Sequence, residues 1–293
     1  MKAIITLLKL LLLHDYPSGS AINYYNEHLY IVGDDANQLL VLDSHYNQVK
    51  RIPLFHYEEK RIPKAQKPDL ETAVIIHNDG QPNLLAIGSA ATKERELFVL
   101  LPLQATDSPR YISSKAFIER LQQLPEINIE GATIAGDHLI LGNRGNESHP
   151  VNQLVVTTPD CWQHPADAPV SIATLDNPFS LPGFAGVSEL CYVEQQDVLL
   201  LTLSSEATTN AYDDGIIGDS YIAWVTNFRK QLSTGKITVN GIVNLSDAAP
   251  AFKGEKIEGI CLSAIKEDGW YLHLVADDDQ GASKLFHIKL LLP

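Results

Sequence analysis

Residues 128–143 read NIEGATIAGDHLILGN. A polar Asn-Ile-Glu-Gly segment opens a short alternating run, Gly136-Asp137 turns the chain, and the apolar run HLIL ends in Gly142-Asn143. Two short strands joined by a Gly-containing turn are the signature of a β-hairpin. The same phrase recurs along the chain as Ser18-Gly19-Ser20-Ala21, Asp69-Leu70-Glu71-Thr72, Gly186-Val187-Ser188-Glu189 and Lys256-Ile257-Glu258-Gly259. Anchored on Ser20, Glu71, Glu130, Ser188 and Glu258, the copies stand 51, 59, 58 and 70 residues apart. From each anchor it is 8 to 12 residues to the next apolar run, the length of one strand and its turn. Most of these runs close on a small residue and a polar one: Gly33-Asp34, Gly88-Ser89, Gly142-Asn143, Ala276-Asp277.

A third apolar run follows in every copy (QLLVLD, ELFVLLPL, NQLVVTT, YIAWVTNF, KLFHIKLLL) and a fourth in the first four. A unit of about four strands repeated radially is the blade of a β-propeller. The expected fold is all-β, a five-bladed propeller forming one domain over residues 1–293, with blades starting near residues 18, 69, 128, 186 and 256. The fifth unit ends after three strands. The run at residues 3–13, within MKAIITLLKLLLL, precedes the first anchor and belongs to no other blade, so it is expected to complete the last one and close the ring. That run imitates a secretory signal, but Lys9 interrupts it, no small-x-small cleavage site follows, and it is too short to span a bilayer. It is read as a strand; the expected compartment is cytoplasmic, with a secreted or periplasmic one if the run is a signal. Helical periodicity is confined to residues 114–124 (SKAFIERLQQL), where Phe117, Ile118, Leu121 and Leu124 share a face.

Composition narrows the function. The 293 residues carry a formal charge of −14, which argues against a nucleic-acid binder and against docking on anionic lipid. Three cysteines, Cys161, Cys191 and Cys261, are too few and too scattered for a disulfide framework or a zinc ribbon and are expected to be buried free thiols.

The first strand of each blade lines the channel, so the five anchors should form a ring around the axis. Three carboxylates converging there repel one another. Either their pKa values rise or a cation lies among them; hydroxyl and carboxylate oxygens suit Ca²⁺ better than zinc or copper. The competing reading is blade packing, with each Glu accepting backbone N–H groups or pairing with an Arg. Glu189 adjoins Ser188, and alternation allows only one of the two to join the ring.

Taken with HLYIVGDD, LTLSSE, Gly186-Val187-Ser188-Glu189-Leu190 and Ile257-Glu258-Gly259-Ile260, the anchors resemble those of the calcium-activated nucleotidases, the soluble apyrases. The resemblance implies a five-bladed propeller with a central Ca²⁺ held by Ser20, Glu71, Glu130, Ser188 and Glu258, in the family's order Ser, Glu, Glu, Ser, Glu. The sequence also resembles an uncharacterised bacterial propeller family and, more loosely, the phytase-like esterase propellers. It departs from the apyrases after Asp34-Asp35, where Ala36-Asn37 stands in place of an Arg.

The resemblance implies a Ca²⁺-dependent hydrolase of a small phosphorylated molecule, in which Asp34 or Asp35 acts as base and Arg144 stabilises developing charge. Lys67, Lys93 and Arg95 are further basic residues able to face phosphates, with solvated surface positions expected for Lys93 and Arg95. Asp277-Asp278-Asp279 is an acidic turn that could add to a metal site, and the insertion at residues 206–220 is a candidate lid or rim loop. The histidines lack ligand spacing, and Trp162, Trp224 and Trp270 are expected in blade packing. Asn146 and Asn244 head glycosylation sequons, relevant only to a secreted chain. The alternative function is a non-enzymatic ligand- or partner-binding propeller whose ion or Glu ring is structural.

Overall fold

The computed structural model describes residues 3–104, 108–211, 215–277 and 281–293. The fold is a five-bladed β-propeller of five small sheets. Blade one holds β2 (Gly19–Tyr25), β3 (His28–Gly33), β4 (Gln38–Asp43) and β5 (Gln48–Pro53). Blade two holds β6 (Leu70–Asn78), β7 (Gln81–Gly88), β8 (Leu97–Pro102) and β9 (Arg110–Ser113). In blade three, β10 (Ile129–Ala135), β11 (His138–Asn143), β12 (Asn152–Thr157) and β13 (Ser171–Asp176) gain a parallel fifth strand, β17 (Lys236–Thr238), from the connection between the third and fourth strands of blade four. Blade four is β14 (Ala185–Val193), β15 (Val198–Ala207), β16 (Ile216–Thr226) and β18 (Gly241–Asn244).

Blade five is closed as expected. Its strands β19 (Lys256–Lys266), β20 (Gly269–Asp277) and β21 (Ser283–Leu291) are joined by β1 (Ile4–Leu13), antiparallel from Ile4 opposite Leu291 to Leu13 opposite Ser283. The apolar run is thus an outer strand; Ile5 and Leu7 pack between blades four and five, and Leu11 and Leu13 between blades five and one. No helix among the described residues is long and apolar enough to cross a membrane.

Apolar side chains fill the five interfaces between neighbouring blades. Trp162 and Trp224 are buried there and Trp270 is partly buried, so all three serve packing. The cysteines are free; burial pushes the Cys161 and Cys191 thiols up to about 12. The expected helix is shorter than its periodicity suggested. Only α1 (Lys115–Ile118) is α-helical, followed by one 3₁₀ turn at Glu119–Leu121, because Pro125 and the approach to β10 leave no room for another turn.

Candidate active site at the propeller axis

All five anchors are bulge residues. The register between the first and second strand of each blade slips at its entrance, between Gly19 and Ala21, Leu70 and Thr72, Ile129 and Gly131, Val187 and Glu189, and Ile257 and Gly259. The residue stepped over is Ser20, Glu71, Glu130, Ser188 or Glu258. A bulge re-aims one side chain out of the pleat, so a device repeated in five blades sets the five anchors around the axis.

The ring then divides. Ser20 Oγ donates to the Leu70 carbonyl of the next blade at 2.5 Å, and Ser188 Oγ donates to the Ile257 carbonyl at 2.8 Å. Both serines are buried latches between blades, each gripping the residue just before the next blade's Glu. The three glutamates line an axial pocket of roughly 90 Å³, space for a few water molecules. Glu189 lies off the pocket lining as a second buried carboxyl. It accepts from Ala132 N at 2.8 Å, Leu190 N at 2.9 Å and Thr72 Oγ1 at 2.9 Å, tying blade four to blades two and three. Burial raises its pKa well above the usual range despite these bonds.

A second tier of site residues lies two positions before the anchors: Ser18, Asp69, Asn128, Gly186 and Lys256. Alternation puts a residue at i−2 on the same side as i. Asn128 Nδ2 donates to Glu130 Oε1 at 2.7 Å, and Lys256 Nζ stands 3.0 Å from Glu258 Oε1. Ser18 and Asp69 adopt left-handed backbone, φ 49° and 54°, a conformation that costs a non-glycine residue about 1 kcal/mol and gathers at functional sites. Gly186 is the exception that makes room: a Cβ there would lie 2.6 Å from Arg144 Cγ and Nε. The residues that follow the second strands supply the third tier. Asp34, Ser89 and Arg144 each donate their N–H to the second-tier residue of their own blade, Ser18, Asp69 and Asn128.

Side-chain cations already sit among the carboxylates. Lys67 Nζ bridges Asp34 and Asp69, 2.7 Å from Asp69 Oδ1, and Arg95 Nη1 lies 2.6 Å from Asp69 Oδ2. Arg144 lies 3.6 Å from Glu130 and 3.3 Å from Glu206, and Lys256 is 3.2 Å from Glu206. Burial alone would lower the Lys67 and Lys256 ammonium values; Asp34 and Asp69 in one case, Glu258 and Glu206 in the other, outweigh it and raise them. Seven carboxyls and five basic side chains line the pocket among the described residues, leaving it two positive charges short of balance. The shortfall falls on Glu71 and Glu258. Burial, then Asp69, Glu130, Asp34 and Glu258, hold the Glu71 carboxyl well above its usual range. Burial pushes Glu258 up to about 8 against the opposing pull of Lys256. Asp34 is raised by burial as well.

Of the residues expected to be catalytic, Asp34 and Arg144 line the pocket; Asp35 does not, and its carboxylate pairs with Arg61 at 2.7 Å. Arg95, expected on the surface, is 4 % exposed because Gly88 and Ser89 lead it back against Asp69; Lys93 is exposed. Asp277 lines the pocket, and Asp278 and Asp279 lie outside the described residues. The insertion extends the β15–β16 ladder and borders the pocket: Glu206, Thr208, Asn210 and Ala211 line it, and Ala211 N donates to Glu126, ahead of β10, at 2.9 Å. Its residues 212–214 lie outside the described set. The sequon side chains are engaged, Asn146 with Glu126 and Asn244 with Asp219. Asp69, Lys256, Asn128 and Glu206 were not singled out as site residues, although the i−2 position of the repeat marks the first three.

Among solved structures, the chain is similar to a glutaminyl cyclase from Myxococcus xanthus, with a TM-score of 0.57 and 10 % identity over 99 % of this chain and 97 % of that one. It is similar also to an alpha-L-arabinanase from Cellvibrio cellulosa, with a TM-score of 0.52 and 12 % identity over 95 % and 92 % of the two chains. At such identities the likeness is one of fold. No curated protein matches the sequence. A family model matches residues 15–290, nearly the whole propeller, and the chain belongs to that family, the family of unknown function DUF6929.

Proposed function

We propose that the axial pocket is an acid–base site acting on a small polar molecule, with Glu71 as the proton donor. The observation that carries this reading is the setting of Glu71. It lines the pocket, makes no hydrogen bond or ion pair among the described residues, and is surrounded by the carboxyls of Asp69, Glu130, Asp34 and Glu258. Carboxyls so crowded keep a proton on one of their number, and a protonated carboxyl open to a cavity is poised to give that proton to a bound molecule. Glu258, pushed up to about 8 by burial, is suited to exchange a proton with a bound molecule. Arg144 and Lys256 offset negative charge that builds on the substrate. The phosphate-ester substrate expected from the apyrase resemblance draws less support from this geometry, because Lys67, Arg95, Arg144 and Lys256 are engaged by carboxylates.

A Ca²⁺ site is a second reading, and one observation favours it: carboxylate oxygens of Asp34, Asp69 and Glu71 lie within 4.8 Å of one another in a pocket two charges short. An ion there would take those oxygens as hard ligands, and the Lys67 ammonium would have to withdraw. Melting temperature with Ca²⁺ and with EDTA tests it. The acid–base reading is tested by incubating the protein with a small-molecule cell extract and following depletion by mass spectrometry. A polar compound consumed by the wild type and spared by Glu71→Gln is expected; no depletion by the wild type would leave a binding protein in place of an enzyme.

A further inference from the structure

We infer that the axial pocket selects a ligand bearing an ammonium group, an inference that rests on reading this pocket as the functional site. The argument is a count of committed hydrogen-bonding groups. Lys67 is held by Asp34 and Asp69, Arg95 by Asp69, Arg144 by Glu130, Glu206 and Ser204, and Lys256 by Glu206 and Glu258. Carboxyl oxygens are prominent among the pocket atoms without a hydrogen-bond partner among the described residues: both oxygens of Glu71, and the buried Asp34 Oδ1. With the Glu71 proton passed to a bound amine, these are carboxylate oxygens, which only accept. An anion placed against them would meet repulsion.

An ammonium group offers three donors and no acceptor, which is the complement of these atoms. The pocket already holds one in this manner, the Lys67 ammonium between Asp34 and Asp69. An amine on the Glu71 side would supply one of the two missing positive charges, and a proton on a neighbouring carboxyl the other. Calcium is the poorer complement, because it takes six to eight oxygens and Asp34, Asp69, Glu130, Glu206 and Glu258 each already hold a side-chain cation. The hydroxyl groups of a neutral polyol would find acceptors but leave the charge deficit untouched.

The test is thermal unfolding at matched ionic strength with ethanolamine, ethylene glycol, inorganic phosphate or calcium chloride, the last without chelator and the others with EDTA. Ethanolamine should raise the melting temperature by a few degrees, as any ligand of the native state does; ethylene glycol and phosphate should not. The ethanolamine shift should vanish in Glu71→Gln and in Asp34→Asn, and the second variant carries the test if the first does not fold. No shift with ethanolamine, a shift surviving both substitutions, or stabilisation by phosphate or calcium alone overturns the inference. Ethanolamine binding without turnover of any extract compound would sink the enzyme reading and keep the ammonium specificity. Turnover of a compound with no amine would do the reverse.

Discussion

Acid should weaken the seam where the propeller closes, and His273 is the main reason. In blade five, Cys261, His273, His287 and Lys9 stand side by side across the four strands. The two imidazoles stack with centroids 4.6 Å apart, and Tyr24 and Tyr46 of blade one close over His273 at 6.2 and 5.7 Å. His273 is 5 % exposed, and its Nδ1 finds no partner among the described residues. Burial, and to a lesser degree His287, lower its pKa from 6.5 to about 3. Because the folded value lies below the unfolded one, the stability this group allows is complete above pH 6.5 and is lost as pH falls toward 3, where only the unfolded chain takes up the proton. At about 1.4 kcal/mol per pH unit, the loss reaches about 2 kcal/mol at pH 5. His287, lowered by burial, Lys266 and Lys9, adds in the same direction. The assay is urea unfolding near pH 7.5 and near pH 5 for the wild type and for His273→Phe, which keeps the ring stack and removes the titration. The variant should lose about 2 kcal/mol less than the wild type between the two pH values. Equal losses in the two proteins would refute the account.

Two further outcomes follow from the geometry. Gly186→Ala places a Cβ 2.6 Å from Arg144 and should drive that guanidinium away from Ser204 and Glu206, at a cost of roughly 1–3 kcal/mol in urea unfolding; a crystal structure with Arg144 unmoved would contradict it. Removing residues 1–13 strips β21 of its outer partner and uncovers Phe286 and Ile288, so the shortened chain should lose cooperative unfolding; an unchanged melting curve would restore the signal-peptide reading.

The repeat was legible because each blade must solve the same problem of turning one side chain out of the first strand. Glu130 and Glu258 could be aligned by eye in Asn-Ile-Glu-Gly and Lys-Ile-Glu-Gly, and the Gly or Ala ending the second strand marked the next station. Closure by the N-terminal run was legible too, since a three-stranded last blade leaves one apolar edge to cover and residues 3–13 had no other place. The helix within 114–124 is shorter than its periodicity, because periodicity reports which face is apolar and not whether the chain has length left for another turn.

What the sequence determined alone was therefore the number of blades, the equivalence of the five anchors and the acidic character of the axis, all of them properties of local pattern and spacing. Only the tertiary structure decided what neutralises that axis. Lys67 reaches Asp34 from 33 residues away, Arg144 reaches Glu206 from 62, and both meetings depend on how blades stack and not on any periodicity. The same stacking turned Ser20 and Ser188 into latches, hid Arg95 against Asp69, and crowded Glu71 among the other axial carboxyls. Charge balance at the centre of a ring is a sum over all its blades, and it takes its value only when the ring is closed.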